Sequence, residues 1–188
     1  MACTYLKAEF EMKDLGKTRF CLGLQIEHLP EGILVHQMTY TKKVLERFNM
    51  SKAHPLKTPM VVRSLDEDKD PFRPRNEDEK VLGPEVPYLS AIGALMYLAN
   101  CTRPDIAFAV NLLARYSASL AKRKWVGVKT ILRYLQGTID LGLFFPKNHD
   151  LTMVDYADVG YRSDSHNAKI TNWFYISLWW YNHFIEVL

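Results

Sequence analysis

Residues 88–99 read Tyr-Leu-Ser-Ala-Ile-Gly-Ala-Leu-Met-Tyr-Leu-Ala, and the apolar residues of this segment follow a helical spacing. They recur every three or four positions, at Leu89, Ile92, Leu95, Met96 and Ala99. That spacing places them on one face of an amphipathic α-helix. Such a face must be buried against other apolar surfaces. We therefore predict that a helical bundle forms around this segment.

Two further helices are predicted to complete the bundle. Pro104 stands where the first turn of a helix tolerates proline, and an apolar face follows at Ile106, Val110, Leu113 and Leu120. A third helix is predicted from about Arg123 to Gln136, with Gly137 as the residue that ends it. Its inward residues are expected to be Trp125, Val128, Leu132 and Leu135. Residues 88–142 thus make a small helical unit.

The segment before the bundle, residues 1–60, has a strand pattern. Apolar residues alternate with polar ones from Arg19 to Glu27, which predicts one strand. Turn residues at 29–32 and a β-rich stretch at 33–37 complete a hairpin. Thr39 is a candidate cap for a helix that runs to about Asn49, with Val44, Leu45 and Phe48 on one face.

Charge is unevenly distributed along the chain. The net charge is +3, but residues 66–85 carry eight acidic and four basic side chains, and five of the nine prolines fall at 59–87. Residues 61–87 therefore form a charged, proline-rich linker. Residues 101–147 carry eight bases and only two acids. This balance suggests a polyanionic partner, although a solvated basic face is a common alternative.

Strand patterns return after the bundle. Residues 143–145 and 151–158 are predicted to form a hairpin that opens a last region, 143–188. The fold class is therefore α+β. The three cysteines are far apart, which favours reduced and mostly buried thiols. No stretch has the length of a signal peptide core or of a membrane span, so we expect an intracellular protein, cytoplasmic or nuclear, that is not secreted and has no membrane partner.

Four blocks of this sequence resemble copia-type retrotransposon reverse transcriptases, in the family's order and at similar spacing. The blocks are 10–26, 88–107, 131–138 and 155–164, and they include Thr102-Arg103-Pro104-Asp105 and Asp155-Tyr156-Ala157-Asp158. The resemblance implies the end of a reverse transcriptase palm with a primer-gripping hairpin at 1–60, a helical thumb at 88–142, and the start of a ribonuclease H sheet at 143–188.

The same resemblance implies that this chain lacks polymerase chemistry. The family's Tyr-Val-Asp-Asp motif, whose carboxylates hold Mg²⁺ in the intact parent, does not occur in this sequence. Asp158 matches the first ribonuclease H carboxylate, but later partners are too few for a two-metal site. We expect no cofactor in this chain and no small-molecule substrate. The parent would be an RNA-directed DNA polymerase and ribonuclease H.

Two groups of residues are candidates for nucleic-acid binding. Lys122, Lys129 and Arg133, with Gln136, share one helix face, which suits a phosphate backbone. Gly23 and Gln25 lie in the segment that resembles the primer-gripping hairpin. Gly23 would allow a backbone or a nucleic-acid strand to approach closely, and a strand bulge is its alternative.

Three functions are consistent with the sequence. The first is an inactive polyprotein segment. The second is a module that binds an RNA–DNA or DNA duplex without reading its sequence. The third is a protein that pairs with a full-length polymerase. Because an incomplete sheet leaves open edges, we also expect that truncation near Gly142 improves solubility.

Overall fold

The structure is a computed structural model. It describes residues 5–6, 9–11, 16–60, 82–83, 85–115 and 121–147, together with the backbone pairing of 152–164 and 169–179. Most of the predicted linker at 61–87 lies outside the described residues. Within them the chain has one small antiparallel sheet, a separate two-stranded sheet and four α-helices, which confirms the α+β class.

The first hairpin contains a turn that the sequence pattern did not show. Strands β1 (Phe20–Cys21) and β2 (Leu24–His28) pair with Cys21 opposite Leu24, so Leu22 and Gly23 form a two-residue turn. Both turn residues have positive φ, 47° and 80°. These angles are typical of a type I′ turn, whose twist matches the flanking strands. The prediction of one continuous strand over 19–27 was wrong. The first residue of the turn, Leu22, is apolar, so the alternation of apolar and polar residues continues through the turn. Cys21 is exposed, contrary to our expectation of a buried thiol.

The second hairpin is confirmed, and it carries a partner that we did not expect. Strand β3 (Gly32–His36) pairs with β2 on one side and with β4 (Gly142–Pro146) on the other. The predicted hairpin of 143–145 with 151–158 was therefore wrong. The alternation that identifies a strand does not determine which strand it pairs with. Here β4 pairs with the free edge of β3. The strand β5 (Thr152–Asp164) pairs instead with β6 (Lys169–Trp179).

The hydrophobic core lies among the helices. These are α1 (Met38–Arg47), α2 (Tyr88–Cys101), α3 (Ala107–Ala114) and α4 (Lys122–Gly137), with a 3-10 turn at Pro104–Ile106. Most of the predicted core residues on α1, α3 and α4 are buried, among them Val44, Leu45, Val110, Leu113, Val128, Leu132 and Leu135. Trp125 is only partly buried, and Leu120 lies outside the described residues. The predicted bundle is present over the described residues, and α1 joins it.

The face that α2 buries differs from the predicted one. Leu89 and Met96 are exposed, while Tyr88, Ala91 and Leu98 are buried beside Ile92 and Leu95. The helix is apolar on nearly all sides, so its spacing alone could not select the buried face.

Two helix ends also differ from the prediction. Helix α1 begins at Met38, and Thr39 is inside it and not at its cap. Gly137 is the last residue of α4 and does not lie beyond its end. A Cβ at Gly137 would stand 2.9 Å from the Cβ of Pro55. Close approach of the segment after α1, and not a left-handed backbone, therefore accounts for this glycine.

Candidate nucleic-acid interface

Helix α4 is a concentrated source of positive charge. Its sixteen residues include five bases and no acid. Lys122 and Lys129 are exposed, whereas Lys124 is only 1% exposed. The Nζ of Lys129 lies 5.7 Å from the ring centroid of Trp125, within the range of a cation–π contact. The helix therefore presents two lysines seven residues apart, one of them held over an indole ring.

Arg133, the third predicted member of this face, has a contact within the protein. Its side chain is partly buried, and its Nε donates a hydrogen bond to the carbonyl oxygen of His54 at 2.7 Å. The amide of Leu56 donates to the carbonyl of Arg133 at 3.2 Å. Arg133 thus ties the segment after α1 to α4. No local pattern indicates this contact, because it joins residues 79 positions apart.

The turn between β1 and β2 is held against α2. The hydroxyl of Tyr97 donates a hydrogen bond to the carbonyl oxygen of Leu22 at 2.6 Å. A Cβ added to Gly23 would stand 2.6 Å from the same hydroxyl oxygen. Gly23 therefore leaves space for the Tyr97 side chain, whereas we had predicted the approach of a backbone or a nucleic-acid strand. The side chain of Leu22 remains 88% exposed at the tip.

Gln25 also binds within the protein. Its Oε1 accepts a hydrogen bond from the amide of Thr39 at 2.7 Å. This amide is one of the first in α1 and has no partner within the helix. Gln25 therefore caps α1 from the neighbouring strand, which replaces the cap that we had expected from Thr39. Sequence reasoning could not find this contact because donor and acceptor belong to different elements.

A buried arginine joins α2 to the end of α4. Arg103 is 1% exposed, and its Nε and Nη2 donate to the two carboxylate oxygens of Asp105 at 3.0 and 2.8 Å. Its guanidinium also donates to the carbonyl and the hydroxyl of Thr138 at 2.8 and 2.7 Å. Tyr134 lies beside this pair. Burial, and secondarily Asp105, raise the pKa of the Tyr134 hydroxyl, and Arg103 opposes that rise.

Comparison with known proteins shows which family this chain belongs to. The family described as "Reverse transcriptase (RNA-dependent DNA polymerase)" matches residues 3–62. The Retrovirus-related Pol polyprotein from transposon TNT 1-94 of Nicotiana tabacum is 40% identical over 166 residues, 87% of this chain and 12% of that protein. The corresponding polyprotein from transposon RE2 of Arabidopsis thaliana is 32% identical over 173 residues, 92% of this chain and 11% of that protein. The chain belongs to the copia-type retrotransposon Pol family.

The chain thus corresponds to a small part of its polyprotein relatives, about an eighth of their length. A shorter relative exists as well. An uncharacterized mitochondrial protein of Arabidopsis thaliana is 30% identical over 169 residues, 90% of this chain and 66% of that protein. No solved structure matched the chain.

The candidate metal residue of this retrotransposon segment lies on β5. Asp158 is opposite Trp173 in the β5–β6 ladder, and its side chain lies outside what the structure describes. A ribonuclease H-like sheet is not confirmed, because β5 and β6 form a two-stranded sheet and β4 belongs to another one. Among the described residues no group of three His, Cys, Asp or Glu side chains could hold a metal ion. None of the described helices is long and apolar enough to cross a membrane.

Proposed function

We propose that this reverse transcriptase segment holds a nucleic-acid duplex through its phosphate backbone and performs no polymerisation on its own. The observation that carries the proposal is the pair of exposed lysines, Lys122 and Lys129, on a helix that contains no acidic residue. Phosphate contacts of this kind supply affinity that is independent of sequence. An RNA–DNA hybrid is the expected partner, because the family's name describes an RNA-dependent DNA polymerase.

The spacing of the two lysines supports this function. Seven residues of α-helix rise about 10 Å. Base pairs of B-form DNA rise about 3.4 Å each, so the helix rise between the two lysines matches about three base-pair steps of such a duplex. Contact with the ring of Trp125 restricts the side chain of Lys129. This side chain therefore has less conformational freedom to lose when it binds a phosphate. Lys122 and Lys129 therefore have the reach to contact phosphates on one side of a duplex.

The absence of polymerisation is proposed from the sequence. The chain contains no pair of adjacent aspartates, and two-metal nucleotidyl transfer requires carboxylates that hold two ions about 4 Å apart. We expect no incorporation when the pure protein is given a primed RNA template, nucleotides and Mg²⁺. Template-dependent extension by this chain would refute that part of the proposal.

The binding test uses fluorescence anisotropy with a labelled RNA–DNA hybrid at several salt concentrations. The doubly substituted variant Lys122→Ala/Lys129→Ala should bind more weakly. The slope of log K against log salt should also become shallower by about 1.8, because each lost phosphate contact removes roughly 0.9 from it. The matched control is Lys52→Ala/Lys147→Ala, which removes two exposed lysines outside α4.

The control distinguishes a site from a general effect of charge. If both double variants lose the same affinity, the contact is nonspecific attraction and α4 is not the interface. If the unsubstituted protein does not bind the hybrid even at low salt, the proposed function is wrong.

A further inference from the structure

The turn at Leu22–Gly23 combines three unusual features. Leu22 has a φ of 47°, in the left-handed region that is unfavourable for an ordinary L-residue. Its apolar side chain is 88% exposed, and the neighbouring Phe20 is 72% exposed. A strained and exposed apolar tip contributes nothing to the core. Strain of this kind persists only where surrounding contacts impose it, and it concentrates at functional sites.

The surrounding contact comes from Tyr97 on α2, 75 residues away in sequence. Its hydroxyl holds the carbonyl of the strained residue itself, Leu22, at 2.6 Å. Tyr97 is in turn fixed by the ring of Tyr40, which meets it edge-on with the centroids 4.9 Å apart. Gly23 leaves the space that the hydroxyl occupies. The hairpin tip is thus clamped to the helical body by one side-chain hydroxyl.

We infer that Tyr97 is a positioning residue, which fixes the left-handed conformation of Leu22 and holds the hairpin tip ready to contact nucleic acid. Lys17 and Arg19 precede Phe20 in the sequence just before this tip, and all three side chains are exposed. Cations interleaved with exposed aromatic and apolar side chains suit a nucleic-acid strand, which offers both phosphates and base faces. The inference rests on the proposed function: the hairpin's contact with the duplex is what the family resemblance implies, and the role of Tyr97 is what the structure adds.

The test compares Tyr97→Phe with Tyr40→Phe. Both remove one hydroxyl from adjacent rings, but only the Tyr97 hydroxyl binds the turn. Tyr97→Phe should weaken binding of the labelled RNA–DNA hybrid roughly three- to tenfold, the equivalent of one hydrogen bond. Its thermal midpoint should stay close to that of the unsubstituted protein. Tyr40→Phe should bind as the unsubstituted protein does.

A second variant separates positioning from general damage. Asparagine tolerates positive φ better than leucine, so Leu22→Asn should form the turn without help from Tyr97. In that background Tyr97→Phe should weaken binding less than about twofold, a loss of coupling that a double-mutant cycle measures. Equal losses in both backgrounds would overturn the positioning role.

The conformation of the tip is measured independently of binding. The Cα and Cβ chemical shifts of residue 22 report its backbone angle, and in Tyr97→Phe they should move away from left-handed values. If the unsubstituted protein does not bind the hybrid, the proposed function is wrong, and so is the contact between the hairpin tip and nucleic acid. The chemical shifts of residue 22 still show in that case whether Tyr97 fixes the backbone conformation of Leu22. If the protein binds and Tyr97→Phe changes neither affinity nor shifts, this inference alone is wrong.

Discussion

Single side chains, and not only apolar packing, connect the parts of this molecule. Gln25 caps α1, Tyr97 holds the hairpin tip, and the hydroxyl of Thr102 donates to the Oε1 of buried Gln37 at 2.9 Å. Each bond crosses from one element to another. Such contacts are costly to lose when they are buried, because the remaining partner keeps its desolvation penalty. The residue scale therefore offers the sharpest tests of stability.

Arg103 should be among the most sensitive positions of the described chain. Arg103→Met would leave the partly buried carboxylate of Asp105 without its guanidinium, and removing one partner of a buried pair costs about 3–5 kcal/mol. Arg103→Lys should recover part of this loss, since lysine keeps the charge but lacks the two-pronged geometry. Urea denaturation measures both free energies of unfolding. Arg47→Met is the control, because Arg47 is exposed and lies over the ring of Phe48 at the end of α1. A loss below 1 kcal/mol in Arg103→Met would contradict this role.

Tyr88 should make stability depend on alkaline pH. Its hydroxyl donates to the carbonyl of Leu113 at 2.8 Å, and burial raises the pKa of Tyr88 to about 12. A raised pKa means that the stabilisation is complete below the unfolded value of about 10 and is lost as pH rises toward 12. At pH 8 the variant Tyr88→Phe should be about 1 kcal/mol less stable than the unsubstituted protein.

Between pH 10 and 12 the unsubstituted protein should lose up to roughly 3 kcal/mol relative to Tyr88→Phe, so the order of stability reverses. Denaturation curves of both proteins from pH 8 to 12 test this prediction. The comparison cancels the titration of the other tyrosines and of the lysines. A constant difference across that range would show that Tyr88 ionises as readily in the folded state as in the unfolded one.

At the scale of elements, the sequence predicted those features that follow from the periodic spacing of apolar residues. The helices at 38–47, 88–101 and 122–137 were found because apolar residues repeat along them. The turn at Leu22–Gly23 was missed, since its first residue is leucine where type I′ turns prefer asparagine, aspartate or glycine. The partner of β4 was missed for another reason. Its pairing with β3 joins residues more than a hundred positions apart, and local patterns contain no information about such pairs.

The candidate site was predictable to a similar degree. Exposure of Lys122 and Lys129 followed from their helix face. The internal bonds of Arg133 and Gln25 could not be predicted, because His54 and Thr39 come close only after the chain has folded. Arg103 was visible only as part of a family block. Its burial depends on how α4 ends beside it.

Substitution of one glycine in helix α2 and of another in the turn at Leu22–Gly23 tests the backbone geometry of both elements. Gly93 lies inside α2 with nothing within 4 Å of an added Cβ, so Gly93→Ala should stabilise the protein by about 0.5–1 kcal/mol through helix propensity. Gly23 has a φ of 80° and Tyr97 beside it, so Gly23→Ala should destabilise by about 1–2 kcal/mol. Thermal denaturation of the two variants compares the same chemical change in both places. Equal effects would mean that neither the turn nor the helix has the geometry described here.

At the scale of the whole molecule, the four-stranded sheet unites segments that precede and follow the four helices. Its order is β1-β2-β3-β4, so the second hairpin and the strand that follows α4 are neighbours. The amide of Lys147 donates to the carbonyl of Glu31 at 2.7 Å, just beyond the last pair of the ladder. We propose that the helical unit and the sheet form one domain that ends near residue 147, and not at Gly142.

This arrangement changes the expected effect of truncation. A chain ending at Lys147 keeps all four strands, whereas a chain ending at Leu141 loses β4 and leaves the edge of β3 unpaired. Leu143 and Phe144 are partly buried, so loss of β4 should cost roughly 2–3 kcal/mol from apolar burial alone. An unpaired edge also promotes aggregation.

We expect the 1–147 protein to match the full chain in its free energy of unfolding and the 1–141 protein to be less stable and less soluble. Urea denaturation and sedimentation of the three proteins measure both properties. Equal stability of 1–141 and 1–147 would show that β4 contributes nothing to the fold, and would return the domain boundary to Gly142.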